Sequence, residues 1–323
     1  MALVPVGRRD GPAAFDAWRA AHVRWGWIAL SVACGLAGML VFAIGWRRFL
    51  ADSGVRVSLW PTLRIYLASN LGRYLPGGKA WQMSIVGVMA EAHGMPIAVL
   101  AATSLVQGAI GLPLGLVLLL ATGREALQVS VFWLAVPAAG VAALLLAPTI
   151  LRRSGRLREI LVTRMPALDS LSTGTIWALT WTGIGSWLGW SVGLWALAHG
   201  VLEHPVISLV SGVAAWTGPF LAGLIVFVSP AGLGARDAAM VFMLRAGGTS
   251  PGDAIVLTLF ARVWGTLLEV VPAGAVLLVR QWGAARAGAV AQPGDGGWDT
   301  RRGWRRGGLT SSGHLGLSDE HPE

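Results

Sequence analysis

Apolar residues fall in long runs, and the breaks between the runs carry arginine, glycine and proline. Residues 25–46 are almost wholly apolar, about the 20 residues a helix needs to cross a hydrocarbon layer. Arg47 and Arg48 end that run. Comparable runs at 96–121, 131–151, 173–199, 206–228 and 253–280 predict further spanning helices, with proline breaks at Pro113 and Gly218-Pro219. Within 173–199, Gly185, Gly189 and Gly193 form a stripe on one helical face, a pattern suited to close helix packing. Trp177 and Trp195 stand near the ends of the same run, where tryptophan marks membrane interfaces.

Two segments depart from this pattern. Residues 57–74 carry Arg64, Asn70 and Arg73 inside an apolar background, and Leu75-Pro76-Gly77-Gly78-Lys79 then ends any helix. A short helix is expected over 81–92. The second departure is Ser229-Pro230-Ala231-Gly232-Leu233-Gly234-Ala235-Arg236-Asp237, followed by a half-helix at 238–246. The predicted fold is an all-α polytopic helical membrane bundle of about 6–8 spans with two Pro/Gly-broken or re-entrant segments. Eight spans fit if both broken segments cross and both chain ends lie on the cytoplasmic side. The separation of the two breaks suits an inverted repeat.

Composition agrees with lipid as the solvent: 54% of the 323 residues are hydrophobic and 13% are charged, against about 25% charged in soluble domains. The domain reading is a cytosolic or interfacial lead at 1–24, a transmembrane domain at 25–280 and a disordered Gly/Arg-rich cytoplasmic tail at 281–323. The formal net charge of +9 comes from arginines between the apolar runs, the placement expected of cytoplasmic loops and not of a nucleic-acid surface. Arg152, Arg153, Arg156, Arg158 and Arg164 crowd one loop, which is expected to face the cytoplasm. The expected location is the cell membrane, multi-pass, with a cytoplasmic C-terminus. Cys34 is the single cysteine, so no internal disulfide or cysteine-based metal site can form.

The candidate chemistry lies in the two breaks. Charge and non-helical backbone at membrane depth cost several kcal/mol and are tolerated only inside the bundle or along a wet cavity. In the first break, Lys79 is the only lysine of the chain. It stands beside Gly77 and Gly78, whose backbone N–H groups and following helix start suit a phosphate. Arg73 and Gln82 flank it. The structural alternative is that Arg73 and Lys79 reach out to lipid headgroups from an interfacial loop. A nucleotide-binding P-loop is excluded, because Ala80 follows Lys79 and Arg73 holds the place of the first glycine. In the second break Gly232 and Gly234 shape a turn ahead of Arg236 and Asp237, and Asp237 has a plain helix-capping alternative. In the last run Arg262 and Glu269 are seven residues apart on one face, too far to pair. Each therefore needs another partner: Asp237 for Arg262, and Arg73 or Arg236 for Glu269. The alternative to a functional role is a structural buried ion pair.

The run G-R-Y-L-P-G-G-K-A-W-Q at 72–82 resembles the N-terminal motif of the flippase-like family that contains the transmembrane domain of lysylphosphatidylglycerol synthase. Pro230, Gly232, Gly234, Arg236 and Arg262 match its C-terminal signature, with Asp237 where the family usually has glutamate. The resemblance covers about residues 25–280. No aminoacyl-transferring domain follows, so lysyl transfer is not expected of this chain alone. The resemblance implies binding or translocation of an anionic phospholipid or a polyprenyl-phosphate-linked lipid in cell-envelope or glycolipid synthesis. Arg73, Gly77, Gly78, Lys79, Gln82, Gly232, Gly234 and Arg236 would then hold the headgroup, and Asp237, Arg262 and Glu269 would form a gating charge network. No cofactor is implied, and no metal, nucleotide or nucleophile motif stands out. Two other readings stay open: a membrane enzyme transferring sugar or phosphate to a lipid carrier, and an accessory subunit of a membrane glycosyltransferase partner.

Overall fold

The computed structural model describes residues 23–75, 78–92, 94–154, 171–225 and 234–287. The chain divides into a unit at 1–280 and a unit at 281–323. Of the second unit only residues 281–287 are described, and they are helical. Every regular element among the described residues is a helix. In chain order these are α1 (Trp25–Asp52), α2 (Leu59–Leu71) continued by a 3₁₀ turn at Gly72–Tyr74, and α3 (Gly78–Ala92). Next come α4 (Ile97–Gly123), a 3₁₀ turn at Val131–Leu134 and α5 (Ala135–Arg153). The series ends with α6 (Thr173–Val201), α7 (Leu209–Ile225), α8 (Ala235–Ala246) and α9 (Pro251–Ala287). The protein is a polytopic helical membrane bundle, and Trp25–Asp52, Ile97–Gly123 and Pro251–Leu278 have the length and hydropathy of membrane spans.

Helices α1 and α6 form an antiparallel central pair. The glycine stripe of α6 lets the two backbones meet: a Cβ on Gly189 would stand 2.7 Å from the Cα of Gly38 and 2.9 Å from the carbonyl oxygen of Cys34. Without a hydrophobic force between helices in lipid, such close packing and interhelical hydrogen bonds hold the pair together. Ser31 Oγ donates to the Gly193 carbonyl at 2.7 Å. At one end the Arg24 guanidinium donates to the Leu202 carbonyl at 2.6 Å. At the other, the Thr175 hydroxyl donates to the Asp52 carboxylate at 2.7 Å, and Ser172 and Thr175 cap α6 reciprocally. These two ends are called the Arg24 end and the Asp52 end below.

The remaining long helices take their direction from this pair. Trp46 donates to Thr103 Oγ1 at 3.0 Å, Gln107 to the Phe42 carbonyl at 2.9 Å and Trp187 to the Gly111 carbonyl at 3.1 Å. Helix α4 therefore starts at the Asp52 end and rises beside α6. Helix α5 returns against it, with Val141 and Leu145 packed on the cluster that holds Val106 and Ile110. Helix α9 starts at the Arg24 end, since Gly247 lies against Ser211 and Gly212 against Trp195. It then passes Gly193 and Gly35 with Trp264 and Leu268.

Each broken segment is flanked by two short helices that pack on each other. Arm α2 leaves the Asp52 end, where Arg47 Nε donates to the Val57 carbonyl at 3.0 Å. Arm α3 brings the chain back, with Val86, Met89 and Ala90 packed on Trp46, Leu50 and Leu100. Arms α7 and α8 do the same from the Arg24 end, Met243 of α8 lying against Gly218 of α7. With 13 and 15 residues in the first hairpin and 17 and 12 in the second, the arms are about 18–25 Å long, short of a 30 Å layer. The succession of long helix, hairpin and long helix in α1–α4 recurs in reverse direction in α6–α9, the arrangement of an inverted repeat.

Three helices among the described residues have the length and hydropathy of a span, and α7, the described helical part of the apolar run at 206–228, packs against α8. Within residues 23–280, α1 and α9 both start at the Arg24 end and run toward the Asp52 end. Trp195, read as an interface marker, packs edge-on to Trp27 at 5.3 Å and against His199 at 4.5 Å.

Candidate functional site

Charged residues that flank the two breaks meet beside α9. Gly72 makes the first tip possible. A Cβ on it would stand 2.6 Å from the Gln82 nitrogen and 2.7 Å from the Trp81 carbonyl carbon, so only glycine lets the two arms touch backbone to backbone. Gln82 then donates to Asn70 Oδ1 at 3.1 Å across the arms. The 3₁₀ turn carries Arg73 and Tyr74 toward α9, where both bind Glu269. Arg73 Nη2 forms a salt bridge with Oε1, and the Tyr74 hydroxyl donates to Oε2 at 2.7 Å. Glu269 is 6% exposed, so this carboxylate depends on those donors for its hydrogen bonds.

The second tip contributes Gly234, Arg236 and Asp237. Gly234 has φ +85°, a backbone state that side chains disfavour, and its N–H donates to Asp237 Oδ2 at 3.1 Å. The same oxygen accepts from Arg262 Nη2 at 2.9 Å. Asp237 thus caps its helix and holds Arg262 at once, and the two readings of this residue are both realised. Arg236 lies over the rings of Trp216 and Phe220, 4.8 and 5.7 Å from their centroids, an attraction of about 2 kcal/mol where water is excluded. Trp216 itself stacks on Trp190 at 4.9 Å, and Trp264 closes the group edge-on. Arg236 feels the charges of Arg73, Glu269 and Arg262, which makes the two tips and α9 one electrostatic cluster.

Three arginines face two carboxylates in this cluster. Arg73 and Arg262 have acidic partners; among the described residues Arg236 forms no ion pair and is held by rings alone. Donors are also in excess. Arg73 Nε and Asn70 Nδ2 are buried without a hydrogen-bond partner. Unused buried donors and surplus positive charge are the chemistry that accepts an anion with several oxygens.

Of the residues expected at the site, Arg73, Gln82, Gly234, Arg236, Asp237, Arg262 and Glu269 come together here. Gly78 and Lys79 open α3, but the Lys79 side chain, Gly77 and Gly232 lie outside the described residues. Three contributors were not anticipated: Tyr74, Trp216 and Phe220. A signal existed for the first. The chain has two tyrosines, and the other, Tyr66, lies beside Asn70 in the field of Arg73 and Glu269. Trp216 and Phe220 carried no local signal, because they meet Arg236 only through the folding back of α8.

A family model described as the lysylphosphatidylglycerol synthase TM region matches residues 2–273. No curated protein and no solved structure matches the chain.

Proposed function

From the premise that the chain belongs to the lysylphosphatidylglycerol synthase transmembrane family, we propose that it binds the phosphate-bearing headgroup of a lipid between its two hairpin tips and moves that lipid across the bilayer. The observation that carries this reading is the surplus of one arginine over the carboxylates, together with the buried unused donors of Arg73 and Asn70. An anionic phospholipid or a polyprenyl-phosphate-linked lipid supplies the missing negative charge. Arg236 is the first contact of the phosphate, and Arg73 the second once Glu269 gives way. Opposed hairpins that reach mid-membrane from the two faces suit alternating access, with one hairpin shifting against the other around a fixed site. No nucleotide motif accompanies the site, so net transport draws on a gradient or on a reaction that consumes the lipid.

The distribution of arginine supports an orientation in the cell membrane. Among the described residues, Arg47, Arg48, Arg56 and Arg153 stand at the Asp52 end. Arg24, Arg124 and Arg245 are at the other end. That difference supports a reading in which the Asp52 end faces the cytoplasm.

The test is a leaflet assay on proteoliposomes of phosphatidylcholine with a trace of fluorescent phosphatidylglycerol and dithionite as the impermeant quencher. Wild type is expected to expose the inner-leaflet label. Arg236→Ala is expected to slow this about 10- to 100-fold, the loss of one charged hydrogen-bonding contact of about 1.5–3 kcal/mol. The proposal fails for phospholipids if folded wild-type protein leaves the inner leaflet protected, and the same assay with a labelled polyprenyl phosphate decides the remaining substrate class.

A further inference from the structure

Arg64 of α2 takes no part in the cluster described above. It is flanked by Leu63 and Ile65, and its helical face continues through Ala68 and Leu71. Ala68 is buried among Trp46, Leu50 and Leu100, and Leu71 packs on the central core. Arg64 is nine residues before Arg73, about 13 Å along the helix, and lies between the Asp52 end and the hairpin tip. Its side chain is partly exposed overall, yet Nε and Nη2 are both buried and neither has a hydrogen-bond partner.

Those two nitrogens form one edge of the guanidinium, the edge that binds two oxygens of a phosphate or carboxylate side by side. Two buried guanidinium N–H groups without a partner are costly to leave unused. Among the described residues, no carboxylate pairs with Arg64, and the acids nearest along the chain, Asp52 and Glu91, are committed to Arg48 and Thr175 or exposed at the end of α3. We propose that the Nε/Nη2 edge of Arg64 is a second binding position for a phosphate group, through which an anionic headgroup passes between the Asp52 face and the Arg73–Arg236 cluster. The position is built into the hairpin arm, so the ligand enters with a displacement of that arm, and the same displacement shifts Arg73 at its tip. This deepens the proposed function and rests on it for the identity of the ligand as a lipid, but the anion position itself stands on Arg64.

An unsatisfied buried guanidinium edge and a ligand position make a joint prediction that a structural arginine does not. Arg64→Met keeps the stem and removes the charge. In neutral detergent Arg64→Met is expected to unfold a few degrees above wild type, because the unsatisfied buried N–H groups are gone. Adding phosphatidylglycerol is expected to raise the wild-type melting temperature, and Arg64→Met is expected to lose roughly half of that rise, one of two linked positions. Inorganic phosphate in place of the lipid separates the sources: a rise with phosphate alone assigns the position to the free anion, and a rise only with the lipid assigns it to a headgroup. Arg64→Met melting below wild type in neutral detergent, or keeping the full lipid-induced rise, overturns the proposal. If Arg64→Met does not fold, Arg64→Lys carries the test. Its ammonium cannot bind side-on, so an undiminished rise again overturns the proposal. Arg236→Ala in the same titration keeps the two ideas apart: a smaller rise for Arg236→Ala with a full rise for Arg64→Met leaves the central site standing and removes this one.

Discussion

At the scale of single residues, Glu269 decides how the cluster behaves. It occupies donors, Arg73 Nη2 and the Tyr74 hydroxyl, that a phosphate oxygen would also use. Under the proposed function, Glu269 is an internal competitor of the ligand. Glu269→Gln removes the competing charge while keeping the size, and anionic lipid is expected to bind about tenfold tighter, equivalent to about 1.4 kcal/mol. Titration of the purified protein with fluorescent phosphatidylglycerol checks this; weaker binding by a folded Glu269→Gln would falsify the competition. Arg73→Ala acts in the opposite sense. It leaves Glu269 buried without its cation, and a loss of about 3–5 kcal/mol is expected, read as a lower unfolding temperature in detergent. The pairing needs of this site were legible in the chain: Arg262 and Glu269 lie too far apart to satisfy each other, and Asp237 and Arg73 are the partners found. The ring support under Arg236 was not legible, because Trp216 and Arg236 are 20 residues apart and neither shows a periodic relation to the other.

At the scale of elements, the α1–α6 pair sets the frame on which both hairpins hang. Its glycines differ in how much room they have. A Cβ on Gly189 meets backbone of α1 at 2.7 Å, whereas Gly108 of α4 has nothing within 4 Å. Backbone cannot rotate out of the way, so Gly189→Ala forces the helices apart. The expected cost is about 1–3 kcal/mol, while Gly108→Ala is expected to be neutral or stabilising by up to about 1 kcal/mol. Thermal unfolding of both variants beside wild type measures the contrast, and equal behaviour of the two would show that the stripe does not set the helix distance. The stripe was readable in the sequence because small residues at helical spacing have one common use. The hairpins were harder to read. An arm such as α7, 17 residues with an internal proline, has the apolar pattern of a span. What marks it as an arm is its partner α8, whose 12 residues are too few to recross the layer.

At the scale of the whole molecule, the inverted arrangement makes statements about which loops share a face. The loop after α6 and the loop before α9 both lie at the Arg24 end, and the connections from α1 to α2 and from α3 to α4 both lie at the Asp52 end. In a Cys34→Ala background, single cysteines at Glu203 and Ser250 should react with a bulky impermeant maleimide from one face. Those at Ser58 and Glu91 should react from the other. The tips separate hairpins from crossings. Leu75→Cys must not react from the face of Glu203, and Ala235→Cys must not react from the face of Ser58, because each tip stops short of the opposite surface. A tip that does react there makes that segment a crossing and removes the repeat. The same set fixes the orientation: with arginine retained on the cytoplasmic side, intact cells should label Glu203→Cys and Ser250→Cys and protect Ser58→Cys and Glu91→Cys. The reverse pattern would turn the molecule over while leaving its hairpins in place. It would also move Arg64 to the route from the outer face, so the direction in which a headgroup would meet the two proposed positions depends on this one assignment.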